Sequence, residues 1–179
     1  MNPVILADSR FLDGTPTATD TATGYDVLNI RDGKTFTAWK AASFGTKYIT
    51  VDCAKSKWAD TLAVSAHNLK TVAALVSVEY SHDNTAWTEI LPSFQFVSDR
   101  SRVVTFTKTR ARYWRVKIVT ASAAAQVGEL MLGVRINFPY PPRAPFVPYE
   151  EEVETESSRS KAGVLLGAIV RFKPVSIKP

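Results

Sequence analysis

A chain of 179 residues with 45% hydrophobic content has enough apolar material for one full core and is short for two domains of ordinary size. Its single cysteine, Cys53, excludes an internal disulfide framework and a cysteine-built zinc site, so packing must supply the stability. The net charge of +5 is diluted over many segments, with 17 basic and 12 acidic residues up to position 149, which reads as solvated surface and argues against a nucleic-acid partner.

The first 25 residues are interrupted by Asp8, Arg10, Asp13 and Asp20, unlike a signal peptide, and no later run is long enough to cross a bilayer. A soluble protein without membrane insertion is expected. Asp, Thr and Gly dominate up to Gly24, and LNIRDGKTFTAW follows, with Asp32-Gly33 marking a turn. Period-two alternation then recurs from Tyr48 to Ile118 and predicts strands. In KYITVDCAKSKWADTLAVSAHNL, residues 47–69, parity puts Ile49, Val51 and Cys53 on one face. Leu62, Val64 and Ala66 form the apolar set of the next run, which sends His67 to the opposite face with Thr61, Ala63 and Ser65.

Further along, VSVEYS sets Val76, Val78 and Tyr80 against Ser77 and Glu79, and HDNTAW makes a turn before TEILP. RVVTFTKT sets Val104 and Phe106 inward. In TKTRARYWRVK, Trp114, Val116 and Ile118 alternate with Arg115 and Lys117, as a half-buried strand requires, so its arginines give no nucleic-acid stripe. ELMLGV offers Leu130, Leu132 and Val134 as a closing strand. Short strands separated by tight turns predict an all-β protein of two packed antiparallel sheets.

Composition changes at FPYPPRAPFVPYEEEVETESSRS, residues 138–160, where five prolines and a glutamate run replace the strand pattern. Proline lacks the ladder donor, so this segment is expected to be an extended linker. The chain thus divides into a sandwich at 1–137, a Pro/Glu-rich linker at 138–160 and a β-arm at 161–179. The arm is too short for its own core and needs a partner edge. Strand addition to another subunit through Phe146, Tyr149, Leu165, Leu166, Ile169, Val170, Phe172, Val175 and Ile177 is one reading. Folding back onto the parent sandwich is another, and a third is that longer relatives continue here into a second domain.

No reaction is legible. G-x-S-x-G, G-x-x-x-x-G-K-[ST] and G-x-G-x-x-G are absent, and His67 and His82 form no metal-pair spacing. The chain therefore reads as a non-enzyme with no cofactor. Calcium stays open through Asp8, Asp13, Asp20, Asp26, Asn29 and Asp32, although such residues also close turns. Aromatics near turns, Tyr25, Trp39, Phe44, Trp58 and Trp87, are suited to stacking on sugar rings, with plugging of the sandwich ends as the structural alternative favoured for Trp39 and Trp87. The glycan-contact candidates are Tyr25, Trp39, His67, Asn68, His82 and Trp87.

In chain order, NIRDGKTFTAW, YITVDCA, VSVEYSHDNTAWTEI, ARYWRVKI and VGELMLG resemble the coagulation factor type C or discoidin domain of the galactose-binding-like superfamily, over about residues 25–134. The resemblance implies an eight-stranded jelly-roll sandwich in which Trp39 and YITVD are structural and ARYWR supplies a core-facing strand. More narrowly, TAWKA, DTLAVSAHNL and ARYWRVKI, with a Pro-rich exit and SRSKAGVLLGAIVRF, resemble discoidin-like proteins encoded among tailed-bacteriophage virion genes. Longer members of that group continue past an S-x-x-G-x-x-L-G segment, whereas this chain stops at Pro179. The likeness implies a structural component of the tail, baseplate or neck, made in the host cytoplasm and located in the virion, with copies of itself and neighbouring virion proteins as partners. The alternative is a carbohydrate-binding module for a cell-surface glycan.

Overall fold

The computed structural model describes residues 4–137, 153–159, 161 and 165–172, in two units, Met1–Phe138 and Pro139–Pro179. In the first unit, β1 (Val4–Ala7) leads through a one-turn helix α1 (Arg10–Asp13) to β2 (Thr17–Ala18). A 3₁₀ turn (Val27–Arg31) and β3 (Trp39–Lys40) precede the main strands β4 (Gly45–His67), β5 (Leu75–Ser81), β6 (Thr88–Gln95), β7 (Arg102–Thr120) and β8 (Gln126–Asn137).

Two long strands build both layers. The first half of β4 pairs antiparallel with the second half of β7, Ile49 opposite Val116, while its second half pairs with the first half of β7, Leu62 opposite Val104. Between these stretches the register shifts from Asp52 to Lys57, and Ala54 has φ 59°. That unpaired bend carries the strand from one layer to the other. One layer therefore runs β2, β4, β7, β5, β6, and the other runs β7, β4, β8, with β1 and β3 along β8.

The expected alternation explains most of the core. Ile49, Val51 and Cys53 are buried from one layer, with Trp114, Val116 and Ile118 beside them, and Leu62, Val64, Leu130 and Leu132 are buried from the other. All belong to one apolar cluster, which Val104 and Phe106 flank. The Cys53 thiol is 4% exposed, and burial pushes its pKa up to about 11. Gly14 closes the α1 turn against the bend of β4, where an added Cβ would lie 2.0 Å from the Asp52 carbonyl oxygen.

His67 departs from the parity reading. It is buried, 7% exposed, because Ala66 takes φ 52° and rotates the next side chain back toward the interior. Thr61, expected on the outward face with His67, is also fully buried, because the register of β4 against β7 shifts again between Ala59 and Thr61 and Ala59, Asp60, Thr61 and Leu62 are all buried.

In the second unit, β9 (Val153–Arg159) and β10 (Leu165–Phe172) form an antiparallel two-stranded sheet. The segment expected to end as linker at residue 160 thus contains a strand, which supplies the edge that pairs with the apolar segment. In register, Glu154 stands opposite Arg171 and Glu156 opposite Ile169, with an irregularity at Leu166. Of the arm candidates, Leu165, Leu166, Ile169, Val170 and Phe172 lie on β10, whereas Phe146, Tyr149, Val175 and Ile177 lie outside the described residues.

Candidate functional site

The outward positions of the first layer form a polar stripe across three strands. Thr50 of β4 stands opposite Arg115 of β7, which in turn stands opposite Glu79 of β5. Tyr48 is opposite Lys117 and therefore diagonal to Arg115, within reach of long side chains on a shared face. Glu79 is 7% exposed and Ser77 2% exposed, although alternation places both on the solvent side. The covering groups are Arg115, whose Nε donates to Glu79 Oε2 at 2.5 Å, and Lys117, whose Nζ lies 3.7 Å from Glu79 Oε1.

The turn after β5 brings Trp87 onto this stripe. Asp83 Oδ1 accepts from the Thr85 amide at 2.9 Å, the Ala86 amide at 3.0 Å and Ser81 Oγ at 2.9 Å, and Asn84 has φ 64°. Hydrogen bonds from Thr85, Ala86 and Ser81 hold the Asp83 carboxyl well below the usual carboxylate range. Asp and Asn close this turn through local side-chain bonds and left-handed backbone, the roles these residues favour in turns. The Arg115 guanidinium consequently lies between two rings, 4.2 Å from the Tyr48 centroid and 4.0 Å from that of Trp87. A cation over two rings at these distances is held by both.

Beside the stack, Thr17, Thr19, Thr50 and Asn84 complete a groove of about 290 Å³. Arg115 spends its Nε on Glu79, and among the described residues its two Nη groups donate to no protein acceptor. The groove therefore combines free guanidinium donors, hydroxyl and amide groups, and aromatic rims. These are the kinds of group that bind a ring compound carrying hydroxyls, and the lining holds no nucleophile with a base beside it.

Of the six glycan-contact candidates, Trp87 lines this groove, and His82 is exposed in the same turn, 5.8 Å from the Tyr80 ring. The others lie elsewhere. Trp39 is fully buried, its indole N–H donating to the Asp20 carbonyl and Thr21 Oγ1, both at 3.2 Å. Tyr25 is 38% exposed in a loop, with Lys40 Nζ 5.5 Å above its ring. Asn68 clamps a loop, donating to the Ala124 carbonyl at 3.1 Å and accepting from the Gln126 amide at 2.8 Å.

His67 is held neutral against Phe96, ring centroids 4.6 Å apart. The Leu69 amide donates to its Nδ1 at 3.2 Å, so the proton belongs on Nε2, which donates to the Arg100 carbonyl at 3.2 Å. Burial lowers its pKa, opposed by the Arg100 carbonyl and the charge of Asp99, whose Oδ1 is 3.7 Å from Nδ1. Because the folded pKa lies below the unfolded value of about 6.5, the stabilisation is complete above that pH and is lost as pH falls toward the folded pKa. Thermal melts between neutral and mildly acidic pH should show the wild type losing stability and His67→Gln following a flatter course. Equal slopes would count against the neutral assignment.

The expected calcium residues are occupied locally. Asp8 and Asp13 pair with Arg10, Asp20 with Lys47, and Asp26 accepts from the Leu28 amide. Asn29 donates to the Ala38 carbonyl, and Asp32 accepts from the Lys34 amide and Thr37 Oγ1. Among the described residues, no group of three or more metal-ligating side chains converges. These residues close turns and ion pairs in the described part of the chain.

A two-layer antiparallel sandwich with a polar, aromatic-rimmed groove defines the class of this unit, a β-sandwich of galactose-binding-like architecture. The F5/8 type C domain model matches residues 15–130, and the chain belongs to that family. No curated protein matches the sequence significantly. Solved structures of similar fold include chitosan-binding module 1 from a chitosanase/glucanase of Paenibacillus sp. IK-5, 20% identical over 72% of this chain and 100% of that one, TM-score 0.61. Another is CpGH89CBM32-5 from Clostridium perfringens in complex with GalNAc-β-1,3-galactose, 16% identical over 72% and 100%, TM-score 0.62. A third is the CBM32 of AlyQ in complex with 4,5-unsaturated mannuronic acid, 22% identical over 72% and 97%, TM-score 0.58.

Proposed function

We propose that the sandwich is a carbohydrate-binding module, a binding protein and not an enzyme, that takes a neutral sugar in the groove beside the Tyr48–Arg115–Trp87 stack. The observation carrying this reading is the Arg115 guanidinium, over the Tyr48 and Trp87 rings in the groove lining, whose Nη donors have no protein acceptor among the described residues. A sugar hydroxyl pair suits those donors, and the apolar face of a pyranose suits the aromatic rim. The similar structures support the wider reading, a carbohydrate ligand, since they are a chitosan-binding module and modules in complex with 4,5-unsaturated mannuronic acid and with GalNAc-β-1,3-galactose, and the last of these ligands is neutral. The likeness to tailed-phage virion proteins rests on sequence motifs alone, and the native mass of the full chain tests the multimer it implies.

The test is a glycan array followed by calorimetry on the best neutral ligand. Trp87→Ala should weaken that ligand about tenfold or more while leaving the fold intact. Unchanged affinity in a folded Trp87→Ala protein would remove the groove as the site.

A further inference from the structure

The outer face of the second layer carries a cleft of different chemistry. Trp58 of β4 stands opposite Arg110 of β7, and Lys108 Nζ lies 5.5 Å from the Trp58 ring centroid. With Asp8, Arg10, Lys57 and Ile136, these residues surround a space of about 390 Å³. Trp58 is 48% exposed and Ile136 52%, so the cleft presents a broad apolar wall to solvent.

Its charge is not balanced. Arg10, 1% exposed, gives Nη1 to Asp13 at 2.6 Å and Nη2 to Asp8 at 2.6 Å, and Lys57 Nζ lies 3.3 Å from Asp13. Two carboxylates thus answer the two inner cations. Lys108 and Arg110, at the mouth, have no carboxylate partner among the described residues; Arg110 Nε donates to the Ser56 carbonyl at 3.3 Å. In addition, the buried Arg10 Nε has no hydrogen-bond partner among the described residues, a costly state for a cationic donor in the wall of a cleft. A ligand that supplies an anion at the mouth, an acceptor deeper in and a flat apolar face would satisfy all three features.

We propose that this cleft is a second glycan site, specific for a uronate residue of an acidic polysaccharide. The pyranose face stacks on Trp58, the carboxylate pairs with Lys108 and Arg110, and a ring or hydroxyl oxygen accepts from the floor. The proposal shares with the preceding reading the idea of a glycan ligand but rests on separate residues in the other layer.

The experiment measures binding of polygalacturonate, of a neutral polysaccharide, of dextran sulfate and of oligo-dT to the full chain and to Trp58→Ala, Lys108→Gln/Arg110→Gln and Trp87→Ala. Polygalacturonate affinity should fall about tenfold in the first two variants and stay unchanged in Trp87→Ala. It should weaken with added salt without vanishing, because stacking is not screened. Loss of the neutral ligand in Trp87→Ala with polygalacturonate retained supports both sites and separates them. Neutral binding with no polygalacturonate binding overturns the cleft alone. Polygalacturonate binding through Trp58 with no neutral ligand overturns the groove alone. Equal or tighter binding of dextran sulfate or oligo-dT through Trp58 overturns the uronate assignment. Lys108→Gln alone, a change at an exposed side chain, keeps the test valid if Trp58→Ala fails to fold.

Discussion

Arg115→Ala should be among the most damaging single changes at the groove, destabilising the protein by about 3 kcal/mol as well as ending neutral-sugar binding. The side chain joins three strands, pairing with Glu79 at 2.5 Å and lying between Tyr48 and Trp87. Its removal leaves the Glu79 carboxylate, 7% exposed, with Lys117 at 3.7 Å as its remaining cation. Most of the cost is that buried carboxylate left with only the more distant Lys117, not the lost attraction. The two contributions are separable. Arg115→Met combined with Glu79→Leu removes both charges and should recover most of the stability, measured as the urea midpoint, without recovering binding. Trp87→Ala should likewise lose binding with a smaller change in midpoint than Arg115→Ala. If the double variant stays as unstable as Arg115→Ala, the stacking supplies the stability and the account of Glu79 is wrong.

Much of this architecture can be read from alternation, and the groove only in part. Ile49 and Val51, and likewise Trp114, Val116 and Ile118, lie where parity places them because β4 and β7 pair in unbroken register from Gly45 to Asp52, and Cys53, the first residue of the bend, keeps the same face. The same parity turns Tyr48 and Arg115 outward. It does not make them neighbours; that depends on β4 pairing with β7, a contact between segments far apart in the chain. Trp87 is marked by its turn, yet its position over Arg115 depends on the closure of that turn by Asp83. His67 breaks the pattern because Ala66, which has no special tolerance for positive φ, adopts it under tertiary constraint. The glutamate run misled for a different reason. Residues 153–159 become a strand because residues 165–172 lie alongside, and edge pairing has little local signature.

The second large effect concerns the core between the layers. Trp114 is fully buried just past the point where β7 changes partners, with its indole N–H donating to the Ala111 carbonyl at 3.2 Å and its ring 5.9 Å from Tyr80 and 6.3 Å from Phe106. It therefore packs against side chains from both layers, since Tyr80 belongs to β5 and Phe106 to the first half of β7. Trp114→Ala should cost about 4 kcal/mol, combining lost transfer energy with a cavity that two crossing sheets cannot collapse to fill, and should lower the melting temperature by roughly 10 °C. Trp114→Phe keeps most of the volume but leaves the Ala111 carbonyl without its donor, so it should fall between the two. The Cys53 thiol supplies an independent readout. Exchange into a thiol reagent under native conditions should quicken in Trp114→Ala as opening of the sandwich becomes cheaper, and an unchanged exchange rate would mean that Trp114 does not hold the layers together.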